Sequence, residues 1–291
     1  MSTETITLQF CDLALRGAVG RLCERAVAFF CLRVGHTTGH RVGMAKVENV
    51  KLHGLNAVRL TDSSGATCEI MLDGAHVTSW KSADGIENLF VSSKSEFGNG
   101  KAVRGGIPLC WPQFNTLGPY GKHGFARNSA EWTIVRTSTE PFPSVVFGLT
   151  DSEATRKVFP FAFSLRYAVT IDGAQSMSTS LTVMNTGDAP MEFTTALHTY
   201  FSCATAAAVN VQGLLDVEYL AGETKGTQTD ALLNMKGEID RIYYNSPSEL
   251  YLTDVSTNAS QSALATKVAP TTLVLMDGRI YTHHPLLHTA N

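Results

Sequence analysis

The sequence predicts an all-β fold, a large antiparallel β-sandwich, and three observations carry that expectation. From about residue 46 apolar residues recur at every second position, in runs such as "NAVRL", "TCEIML", "HVTSW", "SVVFGL", "SLRYAVTI" and "STSLTVMN". A period of two is that of a strand with one buried face. The runs are rich in Val, Ile, Thr, Phe and Tyr and are separated by "TDSSG", "LDG", "SADG", "IDGAQ" and "NTGDAP", where Gly, Asn, Asp and Pro supply turn dihedrals. No helical spacing intervenes between runs, which argues against strand–helix units around a parallel sheet.

Size and charge narrow the function classes. The chain has 291 residues, 44% of them hydrophobic, enough for the core of one large β unit, which commonly runs to roughly 200–250 residues. With 23 Lys plus Arg against 26 Asp plus Glu, there is no sustained basic field of the kind that neutralises a nucleic-acid backbone, so no nucleic-acid partner is expected. The cysteines Cys11, Cys23, Cys31, Cys68, Cys110 and Cys203 are scattered without a CxxC pair. That pattern suits reduced thiols in the cytoplasm rather than a zinc site or a disulfide framework.

Three regions follow in order. Residues 1–45 form an N-terminal extension, 46–262 the sandwich, and 263–291 a divergent C-terminal tail. Within residues 1–43, Leu13, Leu15, Val19, Leu22, Val27 and Phe30 are spaced among Arg16, Arg21, Arg25 and Arg33, which reads as a basic amphipathic helix. It is too charged for a membrane span of about 20 apolar residues, so no membrane partner is expected. An organelle-targeting peptide is one reading of it; a stretch ahead of a true start at Met44 is the other. Under either reading it is expected to be dispensable for folding. In "VFPFAF" the chain approaches a strand rather than lying within one, because Pro160 cannot donate to a ladder. After "DRIYYNSPSELYLTD" the alternation fades through "VSTNASQSALATKVAP" to a last apolar run, "TTLVLMDGRIYTHH", and the sandwich is expected to be truncated at this side.

Two stretches carry chemistry. "KAVRGGIPLCWPQFNTLGPYGKHGFARN", residues 101–128, combines glycines that let backbone approach a ligand closely with residues suited to polar recognition. Arg104 and Arg127 stand at its two ends, and two converging guanidiniums fit a phosphate or carboxylate gripped by paired hydrogen bonds. The plain alternative is two surface arginines in ordinary ion pairs. Gln113 and His123 have the reach to donate to sugar hydroxyls, with Trp111 or Phe114 as a wall; a structurally satisfied ring is the other reading of His123. In "ALHTYF", residues 196–201, strand alternation puts Leu197, Thr199 and Phe201 on one face and His198 with Tyr200 on the other. A histidine so placed is suited to proton transfer near neutral pH.

Taken together, "VRGGIPLCWPQF", "KHGFARNSAEW", "ALHTYF" and "GEIDRIYYNSPSEL", in this order, resemble the aldose 1-epimerase superfamily and within it the glucose-6-phosphate 1-epimerases. The resemblance covers roughly residues 46–255. It implies a sugar on a concave sheet, a hexose 6-phosphate substrate whose phosphate is held by Arg104 and Arg127, Gln113 and His123 along the sugar, and His198 as the catalytic histidine. It implies an acid–base isomerase that needs neither cofactor nor metal and works as a monomer. The sequence departs from the family at two places. Ala221 stands where relatives carry an aspartate, and no glutamate follows Glu249, whereas relatives carry their catalytic base on a late strand. A non-catalytic sugar-phosphate-binding protein is therefore the alternative expectation, with Glu218 or Asp254 as substitute bases if turnover persists.

Overall fold

The alternation is fullest in the hairpin Phe163–Gly173 and Ser176–Asn185. Leu165, Tyr167, Val169 and Ile171 are fully buried, one every second residue. In register they oppose Val183, Leu181, Thr179 and Met177 on one side. On the other side Leu165, Tyr167 and Val169 face Leu149, Phe147 and Val145 of the strand Ser144–Thr150. Burying each large side chain of this set contributes roughly 1.5–3 kcal/mol, and slipping the register by one residue would turn the whole set to solvent.

The computed structural model describes residues 43–255 apart from 117, 238 and 248, together with the strands Thr5–Leu8, Arg25–Val34, Ala263–Lys267, Thr271–Met276 and Arg279–His283. Among the described residues the largest sheet has nine strands. In spatial order they are Leu232–Asn234, Val209–Gln212, Glu249–Asp254, Ala263–Lys267, Arg25–Val34, Ser176–Asn185, Phe163–Gly173, Ser144–Thr150 and Thr133–Ser138. All neighbours are antiparallel. A four-stranded meander, Lys46–Leu52, Leu55–Thr61, Thr67–Met71 and His76–Lys81, shares one core with it. Val58, Leu60, Ile70 and Trp80 belong to the same buried cluster as Phe147 and Tyr167. Cys68 Sγ lies 3.6 Å from Met177 Sδ across the gap between the sheets. This is the expected antiparallel sandwich. A further sheet runs Thr224–Thr227, Glu218–Ala221, Arg241–Ser246, Thr271–Met276 and Arg279–His283.

The N-terminal region differs from its expectation. Arg25–Val34 is a strand, not part of a helix, with Cys31 in register with Ser178 on one side and Lys267 on the other. Its sequence, "RAVAFFCLRV", is rich in the β-branched and aromatic types that favour strands, and pairing on both edges outweighs the helical spacing of its arginines. The rest of the expected helix, including Leu13, Leu15, Arg16, Val19, Arg21 and Leu22, lies outside the described residues. Removing a strand with neighbours on both edges opens the ladder, which is at odds with a dispensable extension. Beyond residue 262, three strands continue the sheets. Among the described residues no helix is long and apolar enough to cross a membrane.

Candidate active site

The glycine-rich segment threads between the meander and the stretch that holds His198 between the short strands Ala196–Leu197 and Thr199–Ser202. Ile107 N–H donates to Val77 C=O at 2.9 Å, Tyr200 N–H to Gly106 C=O at 2.8 Å, and His198 N–H to Pro108 C=O at 2.9 Å. Leu109–Cys110 then pairs antiparallel with Ala196–Leu197. The approach at Gly106 is so close that a Cβ would lie 2.1 Å from Val77 O and 2.8 Å from His76 Nε2, and its φ is +64°. Only glycine fits there, which accounts for the second glycine of "RGG". Trp111 C=O accepts from the N–H groups of Phe125 (3.0 Å) and Ala126 (3.1 Å), closing the neck of the 112–124 loop. That neck returns "HGFAR" to the side of "RGGIP".

The aromatic rings of the segment divide between two tasks. Trp111 is fully buried in the core, its ring centroid 4.5 Å from Phe163 and 5.0 Å from Phe159. It is therefore not a wall of the site, because its strand-like position aims it into the sandwich. Phe114 is the ring beside the site, its centroid 5.4 Å from that of His123.

His198 lies where alternation predicts. Its ring stacks on Tyr200 at 4.7 Å and 18°, while Leu197 and Phe201 enter the core. His123 comes to it from the other strand of chain, the two ring centroids 5.5 Å apart at 81°. Asn115 N–H donates to His123 Nδ1 at 3.2 Å, and Cys110 Sγ is 3.4 Å from the same nitrogen. Nδ1 is thus an acceptor, so in the neutral ring the proton sits on Nε2, which is a donor. Burial first, then the Arg127, Lys122 and Arg104 charges, lower the His123 pKa to about 3. His123 is a neutral hydrogen-bond donor at physiological pH, a different tool from a proton-transferring acid.

Arg104 is exposed and its backbone is pinned by Ser95: the Arg104 N–H donates to Ser95 Oγ at 3.0 Å, and Ser95 O–H donates to Arg104 C=O at 3.1 Å. Arg127 is half-buried on the turn Ala126–Asn128, with one Nη donating to Lys122 C=O at 3.2 Å and Nε buried without a partner. Among the described residues neither guanidinium is in an ion pair, so the plain reading of two ordinary surface pairs does not describe them. Both charges act on His123. The fold therefore gathers Arg104, Arg127, His123 and His198.

Gln113 is different. Its Nε2 donates to the carbonyls of Asn115 (3.1 Å) and Tyr120 (2.8 Å), and its Oε1 accepts from Tyr120 N–H at 2.9 Å. Both amide hydrogens go to the loop's own backbone, which makes Gln113 a clamp of that loop. Asp254 Oδ2 accepts from Ala204 N–H at 2.9 Å, and Glu218 lines a cleft of about 380 Å³ with Tyr219, Lys225 and Tyr244. Ala221 ends the strand Glu218–Ala221. Among the described residues no cluster of three or more His, Cys, Asp or Glu is placed to hold a metal. One site residue escaped the sequence reading. His76 is buried, with Nε2 2.8 Å from Gly105 O, and in "GAHVTSW" it reads only as the first residue of an alternating strand.

Comparison with known proteins identifies the family of this sandwich. Residues 56–279 match the sequence profile of the family described as Aldose 1-epimerase. A protein of Cenchrus ciliaris named "Putative glucose-6-phosphate 1-epimerase" is 38% identical over 215 residues, 69% of this chain and 64% of the relative. One of the same name from Escherichia coli (strain K12) is 34% identical over 201 residues, 67% of this chain and 65% of the relative. The chain thus spans just under two thirds of the length of these relatives. The crystal structure of a "putative mutarotase" from Salmonella typhimurium matches with a TM-score of 0.62 at 24% identity, over 82% of this chain and 92% of that one, a likeness of fold. By its profile match, its relatives and its sandwich, the chain belongs to the aldose 1-epimerase family.

Proposed function

We propose that the chain acts on hexose 6-phosphates as a glucose-6-phosphate 1-epimerase, interconverting their α and β anomers. The observation that carries this reading is the pair of guanidiniums, Arg104 and Arg127, which among the described residues are in no ion pair and whose charges both act on His123, itself in ring contact with His198. Each arginine offers a planar fork of donors to the phosphate. His123 supplies a neutral Nε2–H to a sugar oxygen. In the reaction a proton is delivered to the ring oxygen as the anomeric hydroxyl loses one. The bond from C1 to the ring oxygen breaks and the C1 carbonyl forms; rotation about C1–C2 and the reverse transfers give the other anomer. His198 is the proton donor to the ring oxygen and takes the proton back on closure, a role worth on the order of 10²–10⁴ in rate.

The reaction also needs a base at the anomeric hydroxyl. Asp254, one of the two substitute bases, turns its Oδ2 to Ala204 N–H at 2.9 Å, and that observation favours a second reading, a sugar-phosphate-binding protein with little turnover. Anomer exchange of glucose 6-phosphate, followed by NMR saturation transfer, separates the two. As an epimerase the chain accelerates exchange and loses that acceleration in His198→Asn, with affinity for glucose 6-phosphate held within about twofold. As a binding protein it leaves exchange at the solution rate while still binding. Equal affinity for glucose 6-phosphate and glucose would sink both readings.

A further inference from the structure

The three residues Gly74, Ala75 and His76 touch both ends of the glycine-rich segment. On one side Gly74 N–H donates to Ser129 C=O at 2.8 Å. Its φ is +76°, and a Cβ there would lie 2.3 Å from the carbonyl oxygen of Arg127. On the other side His76 Nε2 is 2.8 Å from Gly105 O. A carbonyl only accepts, so Nε2 carries the hydrogen and donates. The same nitrogen lies 2.8 Å from where a Cβ on Gly106 would be, so the ring is packed under the Gly105–Gly106 turn. The corner between the two contacts is itself fixed. Ala75 has a φ of +47°, its N–H donates to Leu72 C=O at 2.9 Å, and Val77, next in chain, receives Ile107 N–H at 2.9 Å.

Arg104 directly precedes Gly105, and Arg127 is the residue whose backbone Gly74 meets. One tight corner therefore meets the chain beside one guanidinium and beneath the other. Burial, and to a lesser degree the nearby Arg127 charge, lower the His76 pKa to about 4 against the opposing effect of its bond to Gly105, so the ring is a neutral donor and adds no charge of its own to the phosphate site. We propose that the Gly74-Ala75-His76 corner is a positioning element that sets the separation of the Arg104 and Arg127 guanidiniums, and through it the preference for a phosphorylated over a plain sugar. This rests on the reading of those two arginines as the phosphate grip. A residue that merely filled space would, on removal, cost stability and leave that preference unchanged; a positioning residue changes the preference itself.

The test is calorimetry with glucose 6-phosphate and with glucose on the full chain and on His76→Ala, His76→Gln, Gly74→Ala, Arg104→Ala and Arg127→Ala, each first shown to be folded by circular dichroism. His76→Ala is expected to weaken glucose 6-phosphate binding by about tenfold and glucose binding by less than about twofold. His76→Gln, whose terminal amide can donate to Gly105, restores most of the loss. Gly74→Ala, which must push the Arg127 backbone aside, lowers the same ratio of affinities by a route independent of the histidine. A folded His76→Ala or Gly74→Ala with the parent ratio overturns the inference, while loss of the ratio in Arg104→Ala and Arg127→Ala leaves the phosphate reading standing. If the arginine variants themselves keep the ratio, the phosphate reading falls and the inference with it.

Discussion

The hairpin Phe163–Asn185 and the segment 101–128 both satisfy their backbone polar groups, but by opposite means. In the hairpin the residues from Phe163 to Ile171 answer their partners in a regular ladder that shifts register only at Gly173, so any strand-forming residue of the right polarity on the right face will serve. In the segment, successive groups are answered by Ser92, Ser95, Val77, His198 and Tyr200, contributed by separate parts of the chain. Such bonds hold only where a particular residue fits, as Gly106 does against Val77. The hairpin is specified by pattern and the segment by identity, and the site is built on the second because irregular backbone can aim side chains that a pleat cannot.

A core truncation next to the hairpin probes the first half of that contrast with the largest expected effect. Phe147 is fully buried opposite Tyr167, and Phe147→Ala removes a large ring from a packed interior, at a cost of about 3–5 kcal/mol. Denaturant unfolding measures the loss, and the ratio of affinities for glucose 6-phosphate and glucose in the folded variant is expected to be that of the parent. A changed ratio would break the contrast, since the hairpin would then be shaping the site.

Acidification probes the segment next. His76 and His123 are held neutral in the fold, down to about 4 and about 3 respectively, mainly by burial, whereas in the unfolded chain a histidine titrates near 6.5. Their folded pKa values lie below the unfolded one. Their contribution is therefore whole above pH about 6.5 and is lost as pH falls from there toward the folded values, because the unfolded chain takes up protons that the folded chain refuses. The slope is about 1.4 kcal/mol per pH unit for each histidine inside that window. Urea unfolding between pH 7 and pH 4.5 is expected to show the decline, and His76→Gln to make it shallower. An unchanged slope in His76→Gln would mean that this ring titrates in the folded chain as it does in the unfolded one.

Arg127→Ala is the third probe. Losing one charge-assisted contact is expected to cost about 1.5–3 kcal/mol of glucose 6-phosphate binding and little of glucose binding. Calorimetry reads both, and an undiminished preference for the phosphorylated sugar would remove the ground for placing phosphate between the arginines.

The same contrast explains what was legible in the sequence. The strands of the sandwich follow from period two and turn chemistry, and His198 beside Tyr200 follows from alternation within the short run 196–201. The meeting of His123 with His198 does not: it depends on the neck at Trp111 and on the pairing of Leu109–Cys110 with Ala196–Leu197, contacts between segments that no local pattern encodes. The family resemblance pointed to those residues where spacing had no power to do so. Trp111 misleads because an aromatic ring in a glycine-rich loop suggests a wall, when the sandwich claims this ring as core along with Ile107, Leu109 and Ala126. Arg25–Val34 misleads because arginines at helical spacing say nothing of a sheet offering both edges. His76 is silent because a buried histidine at a strand start looks like any other inward residue until the turn above it is known.

Gln113 gives the smallest effect and the sharpest separation of pattern from identity. Its residue type suggests a donor to sugar hydroxyls, yet both amide hydrogens serve Asn115 and Tyr120 and its oxygen serves Tyr120 N–H. Gln113→Glu keeps the acceptor and the shape but removes two donors and turns a carboxylate toward two carbonyl oxygens. As a loop clamp, Gln113 is expected to lose about 1–3 kcal/mol of stability in this exchange, with glucose and glucose 6-phosphate affinities falling together if the loop shifts. As a sugar donor it would cost little stability and would weaken the binding of both sugars in the fully folded chain. Thermal unfolding set beside calorimetry on the one variant distinguishes the two, because a clamp couples affinity to stability and a ligand donor does not. Unchanged stability with weakened binding would return Gln113 to the sugar and show that its amide leaves the loop when ligand arrives.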